Sequence, residues 1–430
     1  MQTLLQQLFE FARRFLSSAE FAAVLTTAIF GVLFAAHFIQ RIMGGPAYTA
    51  MILTLVILAV LSAIFRRGEL SWGEKLPLTL TIFILWCCIT LMWSSRPSAT
   101  WSSLLYQVGV ALLGLYIASY RDHIQIIRAL GNTLRVLLTA SLGVELLSGI
   151  LLDIPFSLLR VEGNLAYGGP IQGIFGSRNA LAFVAVISLV TTVIELKTRA
   201  IQRSLAIYSF ILAGSLLLFS RSVIQAGVIL CVALVFGAVL LIRRRNASER
   251  TRWQIGFFAL VAVFTIFSWL LRNEIVARLH ATSELKVRLT LWQSVLTSAR
   301  QSPLEGWGWV GIWPSGAQPY FAINFDIGTK HQSALGTFFD LYLQVGMVGL
   351  ILFIAALLLA FIRSFLTATT KRSDVYLWPI LIITTLAITG LAESNLLTGS
   401  GWLLVVIGVA LASQNMSWRT RLRPLPDSTP

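Results

Sequence analysis

The sequence predicts an all-α polytopic membrane protein of about twelve transmembrane helices, with one large loop that carries helices of its own. Three observations predict it. First, 57% of the 430 residues are hydrophobic and only 12% are charged, against about 25% charged in an ordinary globular chain. Second, apolar stretches long enough to cross the hydrocarbon core, roughly 17–25 residues each, recur along the chain. Third, the basic residues are distributed with a strong bias between alternate connections. These features exclude a soluble enzyme, a coiled coil and a disordered tail. A net charge of +15 would suggest nucleic acid in a soluble chain, but here it is first a matter of membrane orientation.

Twelve candidate spans centre on 19–39, 47–65, 76–93, 101–120, 130–152, 173–194, 203–219, 222–242, 253–271, 336–362, 376–392 and 400–413. Ahead of them, residues 1–18 read as a short amphipathic helix lying on the membrane surface, with Leu4, Leu5, Leu8, Phe11 and Phe15 on its apolar side. The fifth span contains Arg135 and Glu145, and only Ser220-Arg221-Ser222 separates the seventh from the eighth. The sixth opens with Gly173-Ile174-Phe175-Gly176-Ser177-Arg178-Asn179, whose glycines and arginine predict a broken or re-entrant start. Cys87, Cys88 and Cys231 fall inside spans, without a CxxC or Cys/His cluster, and read as packing residues.

With the N-terminus inside, cytoplasmic segments carry twenty-one Lys and Arg. The short outer segments hold five: Arg41, Arg96, Arg160, Arg178 and Arg221. Both termini are thus expected in the cytoplasm. Three regions follow: spans one to nine with the N-terminal interfacial helix (1–271), a long outer loop (272–335), and spans ten to twelve with a cytoplasmic tail (336–430). The long loop adds Arg272, Arg278, Lys286, Arg288, Arg300 and Lys330. These cations escape the positive-inside explanation, and long loops commonly carry function.

Within the loop, 284–296 reads as an amphipathic helix with Leu285, Leu289, Trp292, Leu296 and Ala299 along one stripe. Arg288 falls on that stripe beside Trp292, and a guanidinium facing a packed surface needs an anionic partner or a polar cavity; the other reading is an arginine that snorkels past the stripe to water. Arg221, in a very short outer turn, reads either as such a site residue or as a headgroup anchor. Arg160 and Arg178 flank the sixth span. His331 lies just before the tenth span, where Ser333 is a plausible N-cap. The helix N-terminus and neighbouring Lys330 should keep its imidazole neutral. The run Trp307-Gly308-Trp309-Val310-Gly311-Ile312-Trp313-Pro314 reads as a membrane-interface belt in preference to a sugar-stacking platform. The first outer loop, Gln40-Arg41-Ile42-Met43-Gly44-Gly45-Pro46, has no acid, and no DxD, Walker, GxSxG or HExxH pattern occurs. No metal and no cofactor are expected. One possible base and several arginines remain, a set suited to a pyrophosphate leaving group.

At four ordered islands the chain resembles the O-antigen ligase and polysaccharide polymerase superfamily of bacterial membrane glycosyltransferases. The islands are Gly173-Ile174-Phe175-Gly176-Ser177-Arg178-Asn179-Ala180-Leu181-Ala182; Ser220-Arg221-Ser222; Arg288-Leu289-Thr290-Leu291-Trp292 followed by Pro303-Leu304-Glu305-Gly306-Trp307-Gly308; and His331 with Leu341-Tyr342-Leu343-Gln344-Val345-Gly346-Met347-Val348-Gly349-Leu350. The resemblance covers about 170–350 and implies a GT-C-like fold in the bacterial inner membrane with an active site on the periplasmic face. It further implies an undecaprenyl-diphosphate-linked glycan donor, a glycan or glycolipid acceptor, and inverting, metal-independent transfer. By match, Arg221 and Arg288 take the diphosphate and His331 stands near the acceptor hydroxyl; Arg178, Arg160, Asn179, Lys330 and Trp292 are expected around the substrates. The family histidine is usually followed by Asn and lies closer to the glycine matching Gly346; here Gln332 follows it, so Lys330 and Asp340 are substitutes for its role. Membrane lipids are expected partners and nucleic acid is not. A transporter or flippase of lipid-linked glycans is the rival reading, since it would also hold phosphate with membrane arginines.

Overall fold

The computed structural model describes residues 13–66, 77–271 and 283–414, together with Gln6, Gln7, Glu10 and Glu274. The chain is a helical multi-pass membrane protein. Among the described residues the β structure is confined to an isolated bridge between Phe156 and Val161. Each of the twelve apolar stretches falls on helix, but their forms differ. Seven helices are long and apolar enough to span by themselves, and α1 (Ala19–Phe34) with α2 (Ala36–Met43) form a pair bent by 73°. The seven are α3 (Gly45–Phe65), α5 (Pro97–Tyr120), α6 (His123–Leu146, continued by a π-turn to Leu151), α7 (Arg178–Lys197), α8 (Arg203–Ser220), α9 (Val223–Arg243) and α13 (Thr337–Thr370). Shorter apolar helices are α4 (Leu78–Ile89), α14 (Leu377–Thr389) and α15 (Gly399–Gln414). Helix α10 (Ala247–Leu270) packs beside α9, and its Phe257 stacks on Phe365 of α13. Of the segment expected to lie on the membrane surface, residues 13–16 are helical, and most of the remainder is outside the described residues.

The sequence explains where the helices start. Ser18, Ser177 and Ser222 each accept a backbone N–H from three residues on, capping α1, α7 and α9. Asp122 and Gln125 form a capping box at α6. The sixth predicted span does begin broken: residues 173–175 make one 3-10 turn, Gly176 is left-handed, and α7 starts only at Arg178. The fifth begins earlier than expected, because the Asp122 box draws His123 into α6.

Two further helices, α11 (Ser283–Ala299) and α12 (Tyr320–Ile327), lie in the long segment before α13. Leu291, Val295, Ala299, Trp313, Tyr320 and Leu343 belong to a second apolar core there. The join to the main bundle is at Gly346, where α13 is broken by φ +67° and ψ −171°. A break inside a span frees backbone groups that lipid cannot satisfy. The turn 303–308 supplies the partners. Trp307 N and Gly308 N donate to the carbonyls of Leu343 and Gln344 at 3.0 and 2.8 Å. Met347 N and Val348 N donate to those of Pro303 and Leu304 at 2.9 and 3.3 Å. The indole of Trp86 covers the Val345 carbonyl at 2.9 Å. A Cβ at Gly346 would fall on the Leu304 carbonyl. The Pro-x-x-Gly-x-Gly turn and the Gly-x-x-Gly span are therefore two halves of one joint.

The predicted anomaly of the fifth span, Arg135, has its partner in α7. Its guanidinium donates to both carboxylate oxygens of Glu195, at 2.7 and 3.0 Å, and to Asn132 Oδ1 at 2.6 Å. Arg135 is 6% exposed and Glu195 0%. Gly131 makes room for that carboxylate, since a Cβ there would sit 2.6 Å from Glu195 Oε1. At one end of the bundle Arg243 joins Asp374 at 2.7 Å; the islands gather at the other end.

Arg135→Ala is expected to lower the melting temperature of the detergent-purified protein sharply, because a stranded buried carboxylate costs about 3–5 kcal/mol. Joint replacement by Met at 135 and Leu at 195 should recover most of the loss. An alanine variant that melts with the wild type would contradict the buried bidentate pair.

Candidate functional site

Helix α11 presents Arg288 toward the bundle, as its place on the apolar stripe predicts, and the side chain is almost fully buried, 9% exposed. The anionic partner it requires is Glu393, in the turn after α14, with Nη2 to Oε1 at 2.9 Å. Arg288 also donates from Nη1 to the carbonyls of Leu335, at 2.9 Å, and Ala392. Glu393 Oε1 accepts a second donor, Asn179 Nδ2, at 2.7 Å. The Asn179 carbonyl oxygen in turn accepts the Ser222 hydroxyl at 2.8 Å. A continuous polar chain thus runs from the start of α9 through the start of α7 to the 389–398 turn and α11. It joins three of the four islands and passes through a residue that belongs to none of them.

Arg221 stands one residue from that chain, in the left-handed conformation (φ 49°) that ends α8. Its Nε donates to the Gly168 carbonyl at 2.9 Å and the side chain remains exposed. Trp292 packs one turn along α11 from Arg288, stacking on Phe339 at 4.6 Å and 14° and donating its indole N–H to the Ala334 carbonyl at 2.9 Å. It braces the start of α13 and is a wall of the site. Arg178 is half-buried and lines a separate cavity of about 230 Å³ with Glu145, Glu162, Gln172 and Ser177. Arg160 is exposed at a left-handed turn (φ 58°), near His37 of α2. Arg160 lies in the connection between α6 and α7, and Arg178 is the first residue of α7. Lys330 stands exposed on its loop.

His331 departs from expectation in its surroundings. Ser333 does not cap α13: the cap is Gly336, the helix begins at Thr337, and Leu335 is left-handed (φ 50°) between them. The Ser333 hydroxyl instead accepts the Leu335 N–H at 3.4 Å. The histidine is held by Asn324, whose side chain bonds both its N–H and its carbonyl, at 2.8 and 3.0 Å. Its Nε2 pairs with the Thr329 hydroxyl at 2.9 Å. Burial first and the Arg288 guanidinium second push its pKa below the ordinary 6.5. The neutral state is as expected; its causes are not the helix terminus and Lys330.

Two other readings are corrected. Asp340 is no substitute for His331: it is wholly buried, accepting the Trp313 indole N–H at 2.6 Å, the Ala334 N–H at 3.0 Å and Gln344 Nε2 at 3.4 Å. The tryptophan run is not an interface belt. Trp309 is 0% exposed, edge-on to Phe83, and Trp313 is 3% exposed. Gln344 Oε1 draws this segment inward by accepting the N–H groups of Val310 and Gly311, at 2.9 and 2.8 Å.

Glu393 was missed although a signal for it existed. A guanidinium on an apolar stripe demands an acid, and Ala392-Glu393-Ser394-Asn395 holds the acid in the connection between the last two spans. Glu393 also lines a cavity of about 220 Å³ with Gln332, Ser333, Ser394, Asn395 and Thr398. Among the described residues, no three His, Cys, Asp or Glu side chains converge as a metal-binding group would require.

No protein-family model matches the chain. It is 26% identical over 352 residues to the "Exopolysaccharide production protein ExoQ" of Rhizobium meliloti (strain 1021), a match covering 78% of this chain and 74% of that protein. That likeness is consistent with the resemblance carried by the four islands.

Asp340→Ala is expected to act on stability: it strands the Trp313 and Ala334 N–H groups, at about 1–3 kcal/mol each. The melting temperature should fall clearly. Lys330→Ala, on the exposed loop, should melt with the wild type.

Proposed function

We propose that the protein is an inverting, metal-independent glycosyltransferase of the O-antigen ligase or polysaccharide polymerase type. In this reading it lies in the bacterial inner membrane with both termini cytoplasmic. It takes a glycan from an undecaprenyl-diphosphate-linked donor at the periplasmic face and transfers it to a hydroxyl of a glycan or glycolipid acceptor. The observation that carries the reading is the buried Arg288 guanidinium, fixed beside a polar chain through Asn179 and Ser222 to the turn bearing Arg221. The ExoQ likeness supports a role in exopolysaccharide production.

The chemistry follows from charge. The acceptor oxygen attacks the anomeric carbon on the face opposite the diphosphate, and negative charge builds on the departing diphosphate. Arg288 and Arg221 offer planar guanidinium donors matched to phosphate oxygens. Arg288 is already fixed by two carbonyls, so it need not reorganise as the charge develops. Asn179 holds the polar chain between them, and Trp292 keeps α11 against α13. Arg178 and Arg160 assist in holding the donor. His331, kept neutral near Arg288, helps position the incoming hydroxyl.

Arg288→Ala and Arg221→Ala should each slow glycan transfer by about a hundredfold or more, as loss of one such contact costs on the order of 2–4 kcal/mol in the barrier. Polysaccharide formed in cells lacking the native copy is the measurement, with purified yield as the control for insertion. Full polymer formation by both variants would sink the assignment.

The pH dependence has a definite sign. Protonating His331 adds positive charge beside Arg288 and removes its acceptor lone pair. Because burial and Arg288 hold its pKa below 6.5, transfer by purified protein should hold steady from pH 8 to neutrality. It should decline only as the pH falls below that value. A rate already falling between pH 8 and 7 would contradict the neutral imidazole.

A further inference from the structure

We propose that Glu393 is the proton acceptor for the attacking hydroxyl, and that donor binding makes it available by drawing off the Arg288 Nη2 donor that holds it, while Nη1 stays on its two carbonyls. The inference rests on the glycosyl-transfer reading above and deepens it. Glu393 sits between a cation and a cavity. On one side its Oε1 holds Arg288 Nη2 at 2.9 Å and Asn179 Nδ2 at 2.7 Å. On the other, its side chain, 18% exposed, lines the 220 Å³ cavity. The remaining wall is made of Gln332, Ser333, Ser394, Asn395 and Thr398 with Gly311 and Ile312, so Glu393 is its ionisable group. The hydroxyls and amides suit the hydroxyls of an uncharged sugar, and the carboxylate disfavours an anion in the cavity itself. Asn395 belongs to that wall, and its Oδ1 is buried without a hydrogen-bond partner. The wall passes through Gln332 and Ser333, not through His331, whose Nε2 is already paired with Thr329. The histidine is thereby a positioning residue and the carboxylate is the base.

The ion pair makes the base conditional. While Arg288 holds Glu393, the neighbouring cation favours the charged carboxylate and lowers its appetite for a proton. A diphosphate carries more charge than one carboxylate and competes for the same guanidinium. Once it is bound, its own negative charge beside Glu393 raises the carboxylate's basicity. In the transfer step the acceptor oxygen forms its bond to the anomeric carbon as the bond from that carbon to the diphosphate oxygen breaks. The electron pair leaves with the diphosphate, held by Arg288 and Arg221. The hydroxyl proton passes to Glu393 and then to water. Donor must therefore bind before the acceptor is activated.

The test separates binding from transfer. Binding is read as the rise in melting temperature of detergent-purified protein titrated with undecaprenyl diphosphate. Transfer is read as polysaccharide formed in cells lacking the native copy. Glu393→Gln should bind undecaprenyl diphosphate at least as tightly as the wild type and lose transfer about a hundredfold or more, the scale of a general base. Arg288→Ala should lose both. A Gln variant that weakens binding as Arg288→Ala does would make Glu393 a mere counter-ion, and one that transfers normally would remove it from the reaction; either overturns the proposal. If the Gln variant does not fold, Glu393→Asp carries the same split more weakly, with intact binding and about tenfold slower transfer. Failure of the parent reading looks different: the wild type itself would show no shift with undecaprenyl diphosphate, or Arg288→Ala would make polymer normally.

Discussion

The interrupted backbone of α13 is the constraint on which the site depends. A helix broken at Gly346 leaves carbonyls and N–H groups on both sides of the break with no partners along the chain. The 303–308 turn and Trp86 fill those positions. Because that turn follows α11 directly, the hydrogen bonds that heal α13 also fix where α11 lies. The position of Arg288 is thus set by backbone pairing about three helical turns and a short link away, in addition to its own bonds. The same joint draws Trp309 and Trp313 into the core through Gln344. A rigid support of this kind is what a preorganised cationic site requires.

Around that joint, charge is organised by pairing. Arg288, a cation that a membrane protein could not otherwise bury, is matched by Glu393, and both are tied to α7 and α9 through Asn179 and Ser222. The ends of four elements meet there while their bodies pack in the apolar core. Exposed Arg221 adds a second guanidinium without the cost of burying it. One fixed and one solvated cation give a site that is shaped on one side and open on the other.

Much of this was legible in the sequence. Composition and apolar length gave the helical membrane class, and the glycines of 173–176 marked the broken entry to α7. Arg288 was found because a guanidinium on an apolar stripe conflicts with its own helix. Other features were hidden for definite reasons. Glu393 lies 105 residues from Arg288, and local periodicity carries no information about partners that distant. The roles of Gly306 and Gly346 appear only when two segments cross, since either alone reads as a turn or a weak point in a helix. The tryptophans were misread because interface and core make the same demand on an indole ring, and the Gln344 bonds that select the core are invisible along the chain. Ser333 has the chemistry of a cap, but the left-handed Leu335 delays the helix to Thr337.

The Arg135–Glu195 pair has a consequence for how the chain enters the bilayer. Each charge sits on a different helix, Arg135 midway along α6 and Glu195 in the last turn of α7, and a lone Arg at a helix centre costs about 2.5–3.5 kcal/mol to insert. Between them lies the 152–177 connection, long enough for the second helix to emerge well after the first. That cost is offset once α7 lies beside α6 and Glu195 meets the guanidinium. The pair therefore favours integration of α6 together with α7.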